Sequence, residues 1–365
     1  MTGSPRLDQV IGRIKPLDDA AAASAAARLD RLTKPPGSLG RLEAVAIQLA
    51  GITGHAEATT RPRTIVVAAA DHGVAARGVS AYPSEVTRQM VANFLAGGAA
   101  ISVLARAFGA SLVVVDAGVA GLPPSVEREP GPAPGIRFRS LGRGRGSGDL
   151  SVGPAMSRAE ALDAVDAGLA LAAELAASGA ALVAVGEMGI GNSTAAAALT
   201  AALCGAPPDL VTGTGTGLDE SARRRKVAIV ARALAVNRPD RADPLGVLAA
   251  VGGLEIAVLV GVVLGAAAAR VPVVLDGFIT GAAALVAAGL APDIVGRLIA
   301  AHRSAEPGHA VALERLSLRP LLDLELRLGE GTGAALALGL LDAAVALRDD
   351  MATFETAGVA GPDMP

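Results

Sequence analysis

The sequence predicts an α/β fold, a parallel sheet flanked by helices, on three observations. Short β-branched runs recur from Thr64 onward, apolar on both faces as buried parallel strands are. Each run is followed by Gly or Asp and then by a longer helical stretch, the alternation of a layered α/β domain. Aromatic residues make up only 2% of a chain that is 52% hydrophobic, so the core must be packed from Ala, Val, Leu and Ile, with close backbone contact through Gly. The 365 residues allow one large domain, or one domain with a smaller helical companion.

Taken in order, the chain through about Gly54 is Ala-rich with charges at helical spacing. Pro35-Pro36-Gly37 must end one helix there and start another. Strands are expected at Ile65 to Ala69, Leu112 to Val115, Ala181 to Val185 and Val271 to Leu275. Polar residues fall at their carboxyl ends: Asp71-His72, Asp116, Glu187 and Asp276. Ligands of open α/β sheets bind at that edge. Asp and Gly are also ordinary strand-ending residues, so a site role and a turn role weigh evenly at each position. Arg137 to Arg145, alternating with Gly and Ser, reads as a loop able to meet an anion. The tail after Met351, ending Gly361-Pro362-Asp363, is expected to fray.

Composition removes several function classes. A net charge of -3 gives no field to recruit nucleic acid, and the aromatic platforms that stack bases are nearly absent. Cys204 is the single cysteine and the four His are scattered, so neither a disulfide nor a clustered zinc site is expected. A reducing cytoplasm fits that usage. The strongest apolar run, Ile256 to Ala269, is bounded by Glu255 and Arg270 well short of a membrane span. Asp18 and Asp19 interrupt any secretory signal pattern, so a soluble, uncleaved protein is expected.

Four motifs could carry chemistry. Gly186 to Thr194, GEMGIGNST, is a strand-to-helix transition whose glycines permit close backbone approach, with Asn192, Ser193 or Thr194 as candidate caps. Glu187 would repel an anion there, which points to a bound group carrying positive charge; a plain Gly-rich turn is the competing reading. Gly213 to Gly217, GTGTG, precedes Arg223, Arg224, Arg225 and Lys226. It fails as a dinucleotide fingerprint because Leu210-Val211 is too short a first strand, and no Walker sequence occurs. The cationic run reads as a solvated helix face from which Lys226 could reach a phosphate. Ser304 to His309, SAEPGH, is the third motif. In the fourth, Leu328 to Gly333, LGEGTG, flanking glycines leave Glu330 unshielded before an apolar helix from Ala334 to Leu347; the helix macrodipole alone could explain an acidic residue there. His55 and His302 read as surface residues, His72 and His309 as structural hydrogen-bonding ones. No G-x-S-x-G elbow is present.

Together LTKPPGSLGRLE (Leu32 to Glu43), ADHGV (Ala70 to Val74), GPAMSRAEA (Gly153 to Ala161), GEMGIGNST, LDGF (Leu275 to Phe278), SAEPG and RLGEGTGAALAL run in order over nearly the whole chain. This series closely resembles the nicotinate-nucleotide:dimethylbenzimidazole phosphoribosyltransferase family of cobalamin nucleotide-loop assembly. The resemblance implies a homodimer whose subunits have a large Rossmann-like parallel-sheet domain and a smaller helical domain from the N- and C-terminal segments. On this chain that division is residues 1–60 and 326–365 around a large domain at 61–325. It implies Glu330 as general base, Glu187 in the same site, and phosphate contacts at Gly189, Lys226, Ser304 and Gly333. It implies nicotinate mononucleotide and a benzimidazole-type base as substrates, with no cofactor, metal, nucleic acid or membrane span. Around the base, some relatives place Ser, Gln and Leu where this chain has Tyr82, Met90 and Met188; with Leu328 these form the expected base pocket, and larger, softer walls leave the preferred base open. Two other readings stand beside this one: a non-catalytic nucleotide-binding paralogue, and a nicotinamide-dependent dehydrogenase using GTGTG.

Overall fold

The computed structural model describes residues 2–122, 133–215 and 217–360. Six strands, β1 (Arg63–Ala70), β2 (Ser111–Gly118), β3 (Ile136–Ser140), β4 (Leu182–Met188), β5 (Val273–Leu275) and β6 (Leu298–Ala300), form one sheet in the order β3-β2-β1-β4-β5-β6. Every neighbouring pair is parallel. This is the doubly wound, Rossmann-like order, which reverses direction between β1 and β4 and opens a crevice at the carboxyl ends of the strands.

The expected strands are present, and two more flank them. The stretch read as a loop at Arg137 to Arg145 begins as edge strand β3, where only Ile136 is buried and Arg139 pairs with Glu174 at the rim. An edge strand has one neighbour and much solvent, so its sequence carries no apolar run. Strand β6 has only three residues, too few to show a period.

Alternation along the strands divides the core. Val66, Ala68, Val113, Val115, Val183 and Val185 face the helices Arg158–Ala177, Asn192–Cys204, Leu254–Ala268 and Phe278–Leu290. Ile65, Val67, Leu112, Val114, Leu182 and Ala184 face Arg41–Thr53, Ala100–Ala107 and Thr332–Asp350. The scarcity of aromatic residues is met by backbone contact: a Cβ at Gly168 would lie 2.0 Å from the Val258 carbonyl oxygen, and one at Gly261 2.0 Å from that of Val165. The helices Arg158–Ala177 and Leu254–Ala268 therefore touch through their glycines, and an alanine at either position would force them apart.

The run Ile256 to Ala269 lies in the buried helix Leu254–Ala268. One stretch, Glu85–Ala107, is long and apolar enough by length and composition to cross a membrane. It breaks at left-handed Gly97 into two helices, whose Val91, Phe94, Ile101 and Ala105 are buried in the second core.

The first helix, Pro5–Arg13, packs on Arg158–Ala177 and Leu254–Ala268, whereas the next two lie on the Thr332–Asp350 side of the sheet. The helices Asp19–Asp30 and Arg41–Thr53 are separated at the Pro35-Pro36-Gly37 break, as expected, and the loop is pinned by a buried Lys34–Glu43 ion pair at 2.9 Å. The tail does not fray immediately after Met351. Thr353 caps a short helix, Phe354–Ala357, and the Thr33 and Phe354 amides each donate at 3.0 Å, to the Ala352 and Arg31 carbonyls. Gly361, Pro362 and Asp363 lie outside the described residues.

Candidate functional site

At the carboxyl ends of β4, β5 and β6 the sheet opens into a cleft of about 370 Å³. Its floor comes from three chain segments in close contact. A Cβ at Gly186 of β4 would lie 2.3 Å from the Gly331 amide nitrogen, so the turn before the helix Thr332–Asp350 rests directly on the strand. In that turn Gly329, Glu330 and Gly331 are all left-handed, with φ of 81°, 64° and 88°. The middle one carries a side chain, a conformation that costs roughly 1 kcal/mol or more and is commonly held at functional sites.

Asp276, just past β5, secures this turn. Its carboxylate accepts from the Gly331 amide at 3.0 Å and the Ala334 amide at 2.9 Å. The free amides at the start of the helix are therefore served by Asp276. The macrodipole explanation of Glu330 loses its basis, since another carboxylate occupies that place.

Glu330 instead borders the cleft. It is 5% exposed, and its Oε2 is buried without a hydrogen-bond partner. Burial, then the charge of Asp276, push its pKa up to about 7 against the opposing pull of the Ile101 amide. Glu187, on β4 itself, accepts from the Asn192 amide group. Burial and the charges of Asp276, Glu255 and Glu330 hold its pKa well above the usual carboxylate range, with only Asn192 opposing. The helix Asn192–Cys204 begins at left-handed Gly191 with no side-chain cap, so the expected cap is replaced: Asn192 serves Glu187, and Ser193 accepts from Lys226 Nζ at 2.9 Å.

Opposite the carboxylates, Gly189, Ser193, Gly215 and Ser304 line the wall. Lys226 is fully buried behind Ser193, and burial lowers its pKa while Glu306 opposes this. Its neighbours face outward: Arg223 pairs with Glu220 at 2.9 Å, and Arg225 donates to Ser221 at 2.9 Å. Glu306 Oε1 accepts the Gly215 amide at 2.8 Å, and the Arg327 guanidinium donates to the Gly215 carbonyl at 3.3 Å. Gly333, expected among the phosphate contacts, is not among the residues lining the cleft, and its amide turns to Asp276. A Cβ there would sit 1.9 Å from His302 Cδ2, so the position is one of tight packing. Thr216 of GTGTG lies outside the described residues.

Tyr82, Met90, Met188 and Leu328 come together at the other end with Val86. Tyr82 and Leu328, 55% and 58% exposed, form the mouth.

His302 does not lie on the surface. It is 2% exposed, borders the cleft, and places Nε2 3.7 Å from Asp276 Oδ1. His55 is exposed as expected. His309 accepts the Ser304 amide at 2.9 Å, and His72 pairs with Glu255 at 2.8 Å with Ser147 Oγ 3.3 Å from its other nitrogen, so both are buried hydrogen-bonding residues. Of the acidic residues at the sheet edge, Glu187 and Asp276 line the cleft and Asp71 and Asp116 do not. Among the described residues no group of three His, Cys, Asp or Glu side chains is placed to hold a metal ion.

Sequence reasoning missed Ser193's placement, His302, Glu306 and Arg327. Ser193, Glu306 and Arg327 lie inside GEMGIGNST, SAEPG and RLGEGTGAALAL, but their roles, like the place of His302, depend on which segments the sheet brings together. The short helix Pro208–Val211, not a strand, precedes GTGTG, which removes the structural context a dinucleotide fingerprint requires.

Residues 14–359 match a family described as Phosphoribosyltransferase. A nicotinate-nucleotide–dimethylbenzimidazole phosphoribosyltransferase of Roseiflexus sp. (strain RS-1) is 56% identical over 355 residues, covering 97% of this chain and 98% of that one. The protein of the same name from Halalkalibacterium halodurans is 50% identical over 356 residues, 98% of this chain and 97% of its own. A crystal structure bearing that name, from Thermus thermophilus, superposes with a TM-score of 0.85 at 50% identity, covering 94% of this chain and all of the other. With that pattern over nearly its full length, the chain belongs to the nicotinate-nucleotide–dimethylbenzimidazole phosphoribosyltransferase family and is a glycosyltransferase.

Proposed function

We propose that this enzyme moves the phosphoribosyl group of nicotinate mononucleotide onto 5,6-dimethylbenzimidazole or a similar base, giving α-ribazole 5′-phosphate and nicotinate, with Glu330 as general base. The observation that carries this reading is the unpartnered Oε2 of Glu330 inside the cleft, on a carboxyl whose pKa is pushed up to about 7. A base of that strength is half ionised near neutrality and strong enough to take a proton in the transition state.

The chemistry asks for such a group and for no general acid. The bond from ribose C1′ to the pyridinium nitrogen breaks with its electron pair going to nitrogen, so nicotinate leaves without protonation. One benzimidazole nitrogen attacks C1′ from the opposite face and inverts it. The other nitrogen then carries a proton whose loss leaves a neutral base on the product, and Glu330 accepts it. Glu187 and Asp276 give the cleft a negative potential that favours the cationic ring of the substrate and the oxocarbenium character of the sugar. Phosphate is met by the Gly189 and Gly215 backbone, Ser193 and Ser304, with the Lys226 ammonium behind Ser193 supplying charge.

Tyr82, Met90, Met188 and Leu328 enclose the incoming base. A homodimer is part of the reading, supported by the apolar surface Tyr82 and Leu328 leave exposed at the mouth. A cytoplasmic setting without a membrane span is supported by the single free Cys204 and the burial of the helix Leu254–Ala268. The test is to incubate purified protein with nicotinate mononucleotide and 5,6-dimethylbenzimidazole and separate the products by chromatography. Equimolar α-ribazole 5′-phosphate and nicotinate are expected. Nucleotide binding without product from any benzimidazole, purine or phenol would identify a non-catalytic paralogue.

A further inference from the structure

Glu330 sits in a conformation its own residue type disfavours, between two left-handed glycines, with no hydrogen bond from its Oε2. The Ile101 amide meets its carboxyl group, and the backbone of the turn is held separately. Gly186 gives the turn a surface to rest on without holding it by any directional bond. Strand β5 ends at Leu275, and the next residue, Asp276, is 1% exposed. Its Oδ2 takes the amide of Gly331, the residue after Glu330, and its Oδ1 takes that of Ala334, one turn into the helix. These two bonds fix the peptide that follows Glu330 and the axis of the helix that follows the turn.

We infer that Asp276 is a positioning residue of the transfer reaction: by binding the Gly331 and Ala334 amides it clamps the left-handed Gly329–Gly331 turn against β4 and aims the Glu330 carboxylate into the cleft. The inference rests on the reading of Glu330 as general base. It adds a second part to the machinery, one that touches neither substrate nor the proton being moved.

The clamp also acts through charge. The ionisable groups around Glu330 are Glu187 on β4, Asp276 after β5, His302 after β6 and, behind Glu187, Glu255 at the start of the helix Leu254–Ala268. Asp276 is the one whose charge raises the pKa of Glu330. Burial raises the pKa of Asp276 itself, opposed by His302 and by the amides of Ala334, Gly331 and Gly333. His302 lies across Gly333 with Nε2 3.7 Å from the clamping oxygen. One carboxylate thus sets both where the base points and how firmly it holds a proton.

The experiment measures kcat, KM for nicotinate mononucleotide and the pH profile of kcat/KM in Asp276→Asn and Asp276→Ser, beside Glu330→Gln. Asparagine keeps one acceptor and loses the charge; serine does the same in less volume, should asparagine disturb folding. Both are expected to lower kcat about 10- to 100-fold with KM within about threefold. The residual activity should have its acid limb at lower pH than wild type, because a negative neighbour has been removed. A merely structural role would lower the amount of folded protein without moving that limb. If the folded variants keep the wild-type kcat and an unmoved acid limb while Glu330→Gln is inactive, the assignment of Asp276 is overturned and that of Glu330 stands. If Glu330→Gln turns over normally, the general-base reading itself fails. If circular dichroism shows neither Asp276 variant folded, the residue is structural and the assignment is also overturned.

Discussion

The two halves of the sheet edge present the same residue types and use them differently. At the end of β2, Asp116 gives Oδ1 to the amides of Gly118 and Val119, at 3.0 and 2.8 Å, and Oδ2 to the Ser140 hydroxyl at 2.9 Å. At the end of β1, Asp71 takes the Ala120 amide at 2.7 Å; burial raises its pKa against that amide and the Thr87 hydroxyl. Both carboxylates tie strand ends to their own loops, Asp116 through both oxygens and Asp71 through Oδ2, its Oδ1 being buried without a partner. Across the crevice, Glu187 has Asn192 and a surround of like charge, and Glu330 has an oxygen with no partner. A buried carboxylate like Asp116, with both oxygens bonded, is architecture; one left short at the wall of a cleft can take a partner from a ligand or a proton. Asp276 belongs to both halves, bonded like Asp116 yet bordering the cleft.

The sharpest way to break this comparison is to neutralise Glu330. Glu330→Gln keeps shape and removes the proton acceptor, so kcat is expected to fall by about 10²- to 10⁴-fold while KM for nicotinate mononucleotide stays within a few-fold. In wild type, kcat/KM should fall about tenfold per pH unit below about 7 and level off above it, because the ionised form is the active one and its pKa is raised to about 7. The residual rate of Glu330→Gln should lack this limb. A wild-type profile flat from pH 5 to 8 would remove Glu330 from the role.

How much of this could be read from the sequence follows from the same distinction. The strands β1, β2, β4 and β5 were legible because burial on both faces writes an uninterrupted apolar run; β3 at the rim and three-residue β6 have no such run to write. Glu330 was legible as an acidic residue between glycines. That its oxygen lacks a partner follows only once Gly186 of β4 and Asp276 of β5 are brought beneath the turn. Locally, Asp116 and Glu187 look alike, each an acid at the end of a Val-rich strand, because the groups that satisfy the first come from Gly118, Val119 and β3, and those that crowd the second from β5 and the turn. His302 was misplaced for the same reason. It stands next to Arg303 and near Glu306 in sequence, and its burial comes from Asp276 and Gly333.

The satisfied half makes the opposite expectation. Asp116→Ala leaves two backbone amides and the Ser140 hydroxyl without their acceptor, so stability should fall by about 2 kcal/mol, read as an earlier midpoint in urea. The folded enzyme should keep kcat within about twofold. A tenfold loss of kcat in folded Asp116→Ala would mean that both halves of the edge serve the reaction.

The smallest effect is the most specific, and it concerns Glu187. Its pKa is raised well above the usual carboxylate range in the empty cleft by burial and by the charges of Asp276, Glu255 and Glu330. A pyridinium ring entering beside it favours the ionised form and lowers that pKa, so whatever share of a proton the empty site carries is released to solvent. At pH 8 two competing sources are silent: Glu330, at about 7, is already mostly ionised, and a phosphate monoester has lost its second proton at about pH 6. Calorimetric titration of nicotinate mononucleotide at pH 8 in phosphate and in Tris, whose ionisation heats differ, should therefore show release of a fraction of one proton per site. Glu187→Gln should abolish the buffer dependence and weaken binding, and Glu330→Gln should leave the dependence in place. Equal heats in the two buffers for the wild-type protein would show that Glu187 does not change charge with the nucleotide.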